Sequence, residues 1–95
     1  MTRLGGLTPW LKVAALAESH HRPVVPHLMP EVAVHLACGL PGVQAVEYMP
    51  WFFAAFVEVP ALVNGQLVPP KRPGLGLEIN AETVEKYAIP FAGDG

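Results

Sequence analysis

The sequence predicts an α/β chain in which helices carry the polypeptide between parallel strands. Three observations lead there. Helix and strand patterns alternate from Thr8 to Tyr48. The strand candidates are short and continuously apolar, the pattern of strands buried on both faces. Gly and Pro punctuate the joints.

Thr8-Pro9 reads as a helix start, with Thr8 as cap and Pro9 suited to the first turn. Trp10, Val13, Ala14 and Ala17 then recur at helical spacing and form one apolar stripe. Lys12, Glu18 and His20 fall off it, and Pro23 stops the helix by about His21. Val24-Val25-Pro26-His27 reads as a fully buried strand. Pro30-Glu31 opens a second helix with an acid in its first turn. Its stripe is Ala33, Leu36, Ala37 and Leu40, and Gly39 to Gly42 end it. Val43 to Tyr48 is a second strand candidate, parallel to the first and joined to it by a right-handed crossover. Beyond Met49 the rhythm breaks. Asn64-Gly65 marks a two-residue hairpin between Leu62-Val63 and Leu67-Val68. Pro69 to Gly76 is a loop, Asn80 caps a short helix through Tyr87, and Gly93 to Gly95 is a frayed end.

The chain has 95 residues, 52% hydrophobic and only 15% charged, which is little polar covering for a small free-standing domain. Such a chain is expected to turn an apolar surface towards a partner. The net charge is −2 and the six basic residues are scattered, so no basic stripe offers itself to nucleic acid. The apolar run from Tyr48 to Val57 is far shorter than the roughly 20 residues of a membrane span. Lys12 and Glu18 interrupt any signal-peptide core. The expected location is the cytoplasm, with neither a membrane nor nucleic acid as partner. The one cysteine, Cys38, excludes an internal disulfide and reads as a buried, inert thiol among Leu36, Ala37 and Leu40.

His27 and Glu47 each fall where an apolar strand ends. Carboxyl ends of parallel strands are where ligands bind, and one strand–helix–strand step brings both residues to the same mouth. An imidazole titrates near neutrality and suits a general base, and a carboxyl can donate a hydrogen bond or proton. Either residue can equally serve structure, the histidine as a satisfied strand end and the glutamate as partner of a cation. The remaining histidines make a weak case for a metal. His20-His21 reads as a solvated helix end, and no histidine pair has the spacing of a helical zinc site. Trp10, Trp51, Phe52, Phe53 and Phe56 read as core packing rather than a stacking box.

Arg3-Leu4-Gly5-Gly6-Leu7-Thr8-Pro9-Trp10, Pro26-His27, Val46-Glu47 and Pro73-Gly74-Leu75-Gly76, in that order, resemble the end of the mandelate racemase/muconate lactonizing enzyme family of the enolase superfamily. The resemblance runs from about Thr2 to Tyr87 and implies the C-terminal fragment of an enolase-type modified TIM barrel. On that reading residues 1–50 are the end of the barrel: Thr8 to His21 the sixth helix, Val24 to His27 the seventh strand, Glu31 to Leu40 the seventh helix and Ala45 to Tyr48 the eighth strand. Residues 51–95 are a crossover tail with a hairpin and a short terminal helix. The resemblance further implies α-proton abstraction from a carboxylate substrate, with an acid-sugar dehydratase preferred over a racemase. His27 takes the place of the catalytic base or acid, and Glu47 that of the group which hydrogen-bonds the substrate carboxylate. The family's Mg²⁺ ligands are not among these residues, and the aspartate that orients the histidine would fall about one residue before Met1. The only aspartate is Asp94. The chain alone is therefore expected to bind no metal and to be inactive, and to associate with the rest of a barrel or with copies of itself. A non-catalytic module that docks through its apolar face is the competing expectation.

Overall fold

The computed structural model describes residues 1–91; Asp94 and the expected frayed end at Gly93 to Gly95 lie outside the described residues. The described residues form three helices and one hairpin: α1 (Leu7–Ser19), α2 (Pro30–Gly39), β1 (Ala61–Val63), β2 (Gln66–Val68) and α3 (Ala81–Tyr87). Short 3₁₀ turns occupy Thr2–Leu4 and Phe53–Ala55.

The helix starts differ in how they are closed. Gly6, at φ 124°, is the N-cap of α1, so Thr8 lies inside the helix and makes no cap. Glycine reaches that backbone conformation without a Cβ penalty, and it displaces the start two residues upstream of the expected one. Pro30 stands at the first position of α2 as the sequence predicts. Asn80 caps α3, its Oδ1 accepting from the Thr83 N–H at 2.9 Å.

Between α1 and α2 the chain takes strand-like geometry around Val24, and it does so again around Val43. The two expected strands touch at a single parallel bridge, Val24 to Val43, supported by the Val24 N–H donating to the Gly42 carbonyl at 3.0 Å. Among the described residues no longer ladder forms between them. Val25, expected to be buried, is 58% exposed, because nothing among the described residues packs over it.

Trp10 and Ala14 of α1, Leu36 of α2 and Val43 form the core cluster, with Met1, Val24, Ala37 and Leu40 packed on its margin. Both predicted stripes therefore face inward, although Val13 of the first is exposed. Cys38 is exposed as well. It lies in the last turn of α2, beyond the buried stretch from Pro30 to Val34. The tail is tied down separately. Asn64 and Gly65 both take positive φ, 50° and 75°, the backbone of the type I′ turn that Asn-Gly favours. The β1–β2 register pairs Ala61 with Val68 and Val63 with Gln66. Residues 55 to 57 then pair with 78 to 80, through Val57 N–H to the Glu78 carbonyl and Asn80 N–H to the Ala55 carbonyl, both 2.8 Å.

The radius of gyration is 15.7 Å, against about 12 Å for a compact domain of this length. The molecule is a slab of 50 × 38 × 22 Å, which leaves many apolar side chains uncovered. Trp51 and Phe52 are 66% and 56% exposed, contrary to the expectation of core packing. With Lys86 and Tyr87 they line an open groove. Phe53 meets Tyr48 edge-on instead, with ring centroids 5.9 Å apart.

Candidate active site

Pro26 is fully buried and ends the first extended stretch; Pro30 is fully buried and begins α2. His27, Leu28 and Met29 lie between these two anchors. Leu28 and Met29 both have positive φ, 58° and 50°, a conformation rare for residues with a branched or long side chain. It costs on the order of 1–3 kcal/mol per residue and persists only where the surroundings enforce it. Its local result is to turn the Leu28 N–H across to the neighbouring segment, where it donates to Glu47 Oε2 at 2.7 Å.

The same oxygen lies 3.1 Å from His27 Nδ1. The two candidates taken from the sequence are thus side by side, on adjoining extended segments that run parallel at Val24 and Val43. The His27 side chain is 54% exposed and that of Glu47 34%, so both reach solvent. A carboxylate oxygen against Nδ1 favours the tautomer that carries its proton there and leaves Nε2 with a free lone pair. Among the described residues Glu47 Oε1 has no hydrogen-bonding partner, and Nε2 has none either. One nitrogen and one oxygen are therefore open to a ligand, while the other atom of each group is taken up in holding the pair together.

No third acid, histidine or cysteine joins them: among the described residues there is no cluster of three such groups able to hold a metal. Mg²⁺ requires near-octahedral oxygen coordination. A lone carboxylate with one oxygen already engaged does not meet that demand, so these residues do not fit a Mg²⁺ site. His20 and His21 are exposed at the end of α1, and His35 is held elsewhere, 3.0 Å from the Leu75 carbonyl.

Reading the sequence missed the Leu28 N–H, because a backbone donor leaves no mark in side-chain identity; the flanking prolines are the one available hint. It also missed the environment of Glu31. An acid in a helix's first turn is ordinarily solvated, yet this one is 1% exposed, and neither carboxylate oxygen has a partner.

Two helices and segments that meet in a parallel bridge, with polar groups gathered beyond it, describe part of an α/β fold of the barrel type. The enolase C-terminal domain-like family model matches residues 1–84. The chain belongs to that family. It is 34% identical over 80 residues to the L-talarate/galactarate dehydratase of Salmonella typhimurium, covering 84% of this chain and 20% of that protein. With the L-rhamnonate dehydratase of Saccharopolyspora erythraea the identity is 32%, covering 82% of this chain and 23% of that one. A solved L-talarate dehydratase of Polaromonas sp. JS666, complexed with Mg and L-glucarate, superposes with a TM-score of 0.80 at 38% identity, covering 87% of this chain and 23% of that chain. The chain thus spans about a fifth to a quarter of the length of these relatives, which are acid-sugar dehydratases. No helix among the described residues is long and apolar enough to cross a membrane.

Proposed function

We propose that this chain supplies the proton-transfer corner of an acid-sugar dehydratase and does not catalyse the reaction alone. In this reading residues 1–50 are the end of the barrel and residues 51–95 its crossover tail. His27 Nε2 removes the proton α to the substrate carboxylate. The C–H electron pair moves into a carbon–carbon double bond, the proton taken up by His27 passes to the β-hydroxyl so that it leaves as water, and the resulting enol tautomerises to a 2-keto acid. Glu47 Oε1, the open atom of the pair, faces the substrate carboxylate and forms the hydrogen bond to it as negative charge gathers there. The observation that carries this reading is the 3.1 Å approach of His27 Nδ1 to Glu47 Oε2, with the opposite atom of each group left open. The likeness to acid-sugar dehydratases supports the substrate class.

Inactivity of the chain by itself follows from magnitudes. A carbon acid next to a carboxylate is many pKa units weaker than imidazolium, and each unit is about 1.4 kcal/mol. A single carboxyl hydrogen bond contributes about 1.5–3 kcal/mol. The remaining stabilisation has to come from polypeptide outside this chain, which in this reading also holds the family's cation.

A chimera tests the proposal: the matching segment of the Salmonella talarate/galactarate dehydratase is replaced by this chain and assayed on galactarate with Mg²⁺. Turnover is expected, falling by about 10²–10⁴ in His27→Asn, the usual size of a general-base contribution. The purified chain alone is expected to be silent. Turnover by the chain alone, or a chimera indifferent to His27→Asn, overturns the reading.

A second reading, a non-catalytic docking module, draws on the uncovered aromatic groove at Trp51, Phe52 and Tyr87. It becomes the better account if the chimera folds and binds but has no activity.

A further inference from the structure

The pair at the site is held by a backbone group that no side-chain comparison can register. We propose that Leu28 is a positioning residue: its N–H, presented by the left-handed turn Leu28–Met29, fixes Glu47 Oε2 against His27 Nδ1. The proposal rests on reading His27 and Glu47 as the reacting groups, and it adds what sets their relative orientation.

Without such a donor nothing specifies where the Glu47 carboxylate points. Its side chain is about one-third exposed, and an exposed carboxylate beside a histidine samples many rotamers because the pair alone is weakly bound. A second, rigid donor on the same oxygen changes this. The Leu28 N–H is short at 2.7 Å and charge-assisted, and it belongs to the main chain immediately after His27. Any shift of the carboxylate thus breaks two contacts made by adjacent residues. The turn is rigid for a local reason: buried Pro26 and buried Pro30 fix its entry and exit. A leucine and a methionine in left-handed geometry are therefore tolerated at a place where glycine would be easier. The hydrogen bond also leaves Oε1 and Nε2 as the open atoms, the division of labour that proton transfer beside a bound carboxylate requires.

The experiment uses the full chain and reads the site directly, so its outcome is separate from whether the enzyme reading holds. Amide exchange and ¹⁵N spectra of His27 are recorded for the wild type, Glu47→Ala, Leu28→Val and Leu28→Gly. In the wild type the residue 28 amide is expected to be shifted downfield and protected, with the His27 proton on Nδ1. Glu47→Ala and Leu28→Val are each expected to speed exchange at that amide by about tenfold, the size of one such hydrogen bond. Both should let the imidazole revert to a mixture of tautomers. Valine is β-branched and resists positive φ, whereas Leu28→Gly keeps both turn and donor and should retain the wild-type signals. An amide-to-ester replacement at position 28 deletes the donor alone. It is accessible by ligating a synthetic segment 1–37 to Cys38, and it should reproduce the tautomer change with the helices intact. A residue 28 amide that exchanges at the free-peptide rate in the wild type overturns the proposal, as does an ester that leaves the His27 tautomer unchanged. If the spectra behave as expected but the chimera is inactive, the positioning holds and the enzyme reading fails.

Discussion

His35 Nε2–H donates to the Leu75 carbonyl across 3.0 Å, joining the middle of α2 to a loop 40 residues further along the chain. The loop Pro73-Gly74-Leu75-Gly76 has no regular structure of its own, and its Gly76 N–H closes a turn onto Pro73 at 3.3 Å. His35 is its only side-chain tie to a helix among the described hydrogen bonds. Replacing His35 by Ala is expected to cost about 1 kcal/mol. Faster amide exchange confined to residues 73–76, with α2 unchanged, is the measurement that checks it. Uniform acceleration through α2 would show instead that His35 supports the helix.

Gly76 is buried within that loop and has φ +68°, and a Cβ placed on it would lie 2.8 Å from Pro70 Cβ. Two penalties combine: the left-handed backbone resists any side chain, and the neighbour is a proline ring that cannot rotate away. Gly76→Ala is expected to lower stability by about 2 kcal/mol or more. Gly74, at φ +66° with open space around it, should lose only about 1 kcal/mol on the same change. Denaturant midpoints of the two variants compared side by side decide the matter. Equal losses would mean that the Pro70 contact relaxes freely.

What could be read beforehand and what could not divide along a physical line. Helix positions, the Asn64-Gly65 hairpin, the Asn80 cap and the meeting of His27 with Glu47 all follow from local pattern or from the order of elements. Burial was read less well. Val25, Cys38, Trp51 and Phe52 were expected inside and lie outside, because burial depends on what packs over a residue and apolar character alone does not supply a cover. Glu31 errs in the opposite direction. Thr8 was passed over as a cap because Gly6 can adopt a start geometry that Thr8 cannot. The left-handed Leu28 and Met29 were not legible because propensity disfavours positive φ for both residue types, and the flanking Pro26 and Pro30 hint at a turn without fixing its hand.

Asn80 does three things at once. Its Oδ1 accepts from the Thr83 N–H at 2.9 Å, its Nδ2 donates to the Ala54 carbonyl at 2.7 Å, and its own N–H donates to the Ala55 carbonyl. Asn80→Ala removes the first two and should cost about 1–2 kcal/mol. Asn80→Asp keeps the cap but exchanges the Nδ2 donor for an acceptor facing a carbonyl. It should therefore loosen the link to residues 54–55 while preserving α3. Helix content from circular dichroism and exchange at Ala55 separate the two effects, and an Asp variant indistinguishable from wild type would show that the Ala54 contact contributes nothing.

Glu31 tests the environment of α2. Its carboxylate is 1% exposed with both oxygens unpartnered, and the helix N-terminus offers only a partial offset through its dipole. A buried acceptor left unsatisfied costs about 1–3 kcal/mol, and more if it is ionised. Replacement by a side chain of similar volume without oxygens removes that cost. Glu31→Met is expected to stabilise the chain by about 1–2 kcal/mol, while Glu31→Gln, which keeps buried polar atoms, should gain less. Urea midpoints of the purified chain at constant pH give the order directly. A methionine variant less stable than wild type would show that Glu31 finds a donor in solution, and the next step would be to locate it from the amide whose shift changes in that variant.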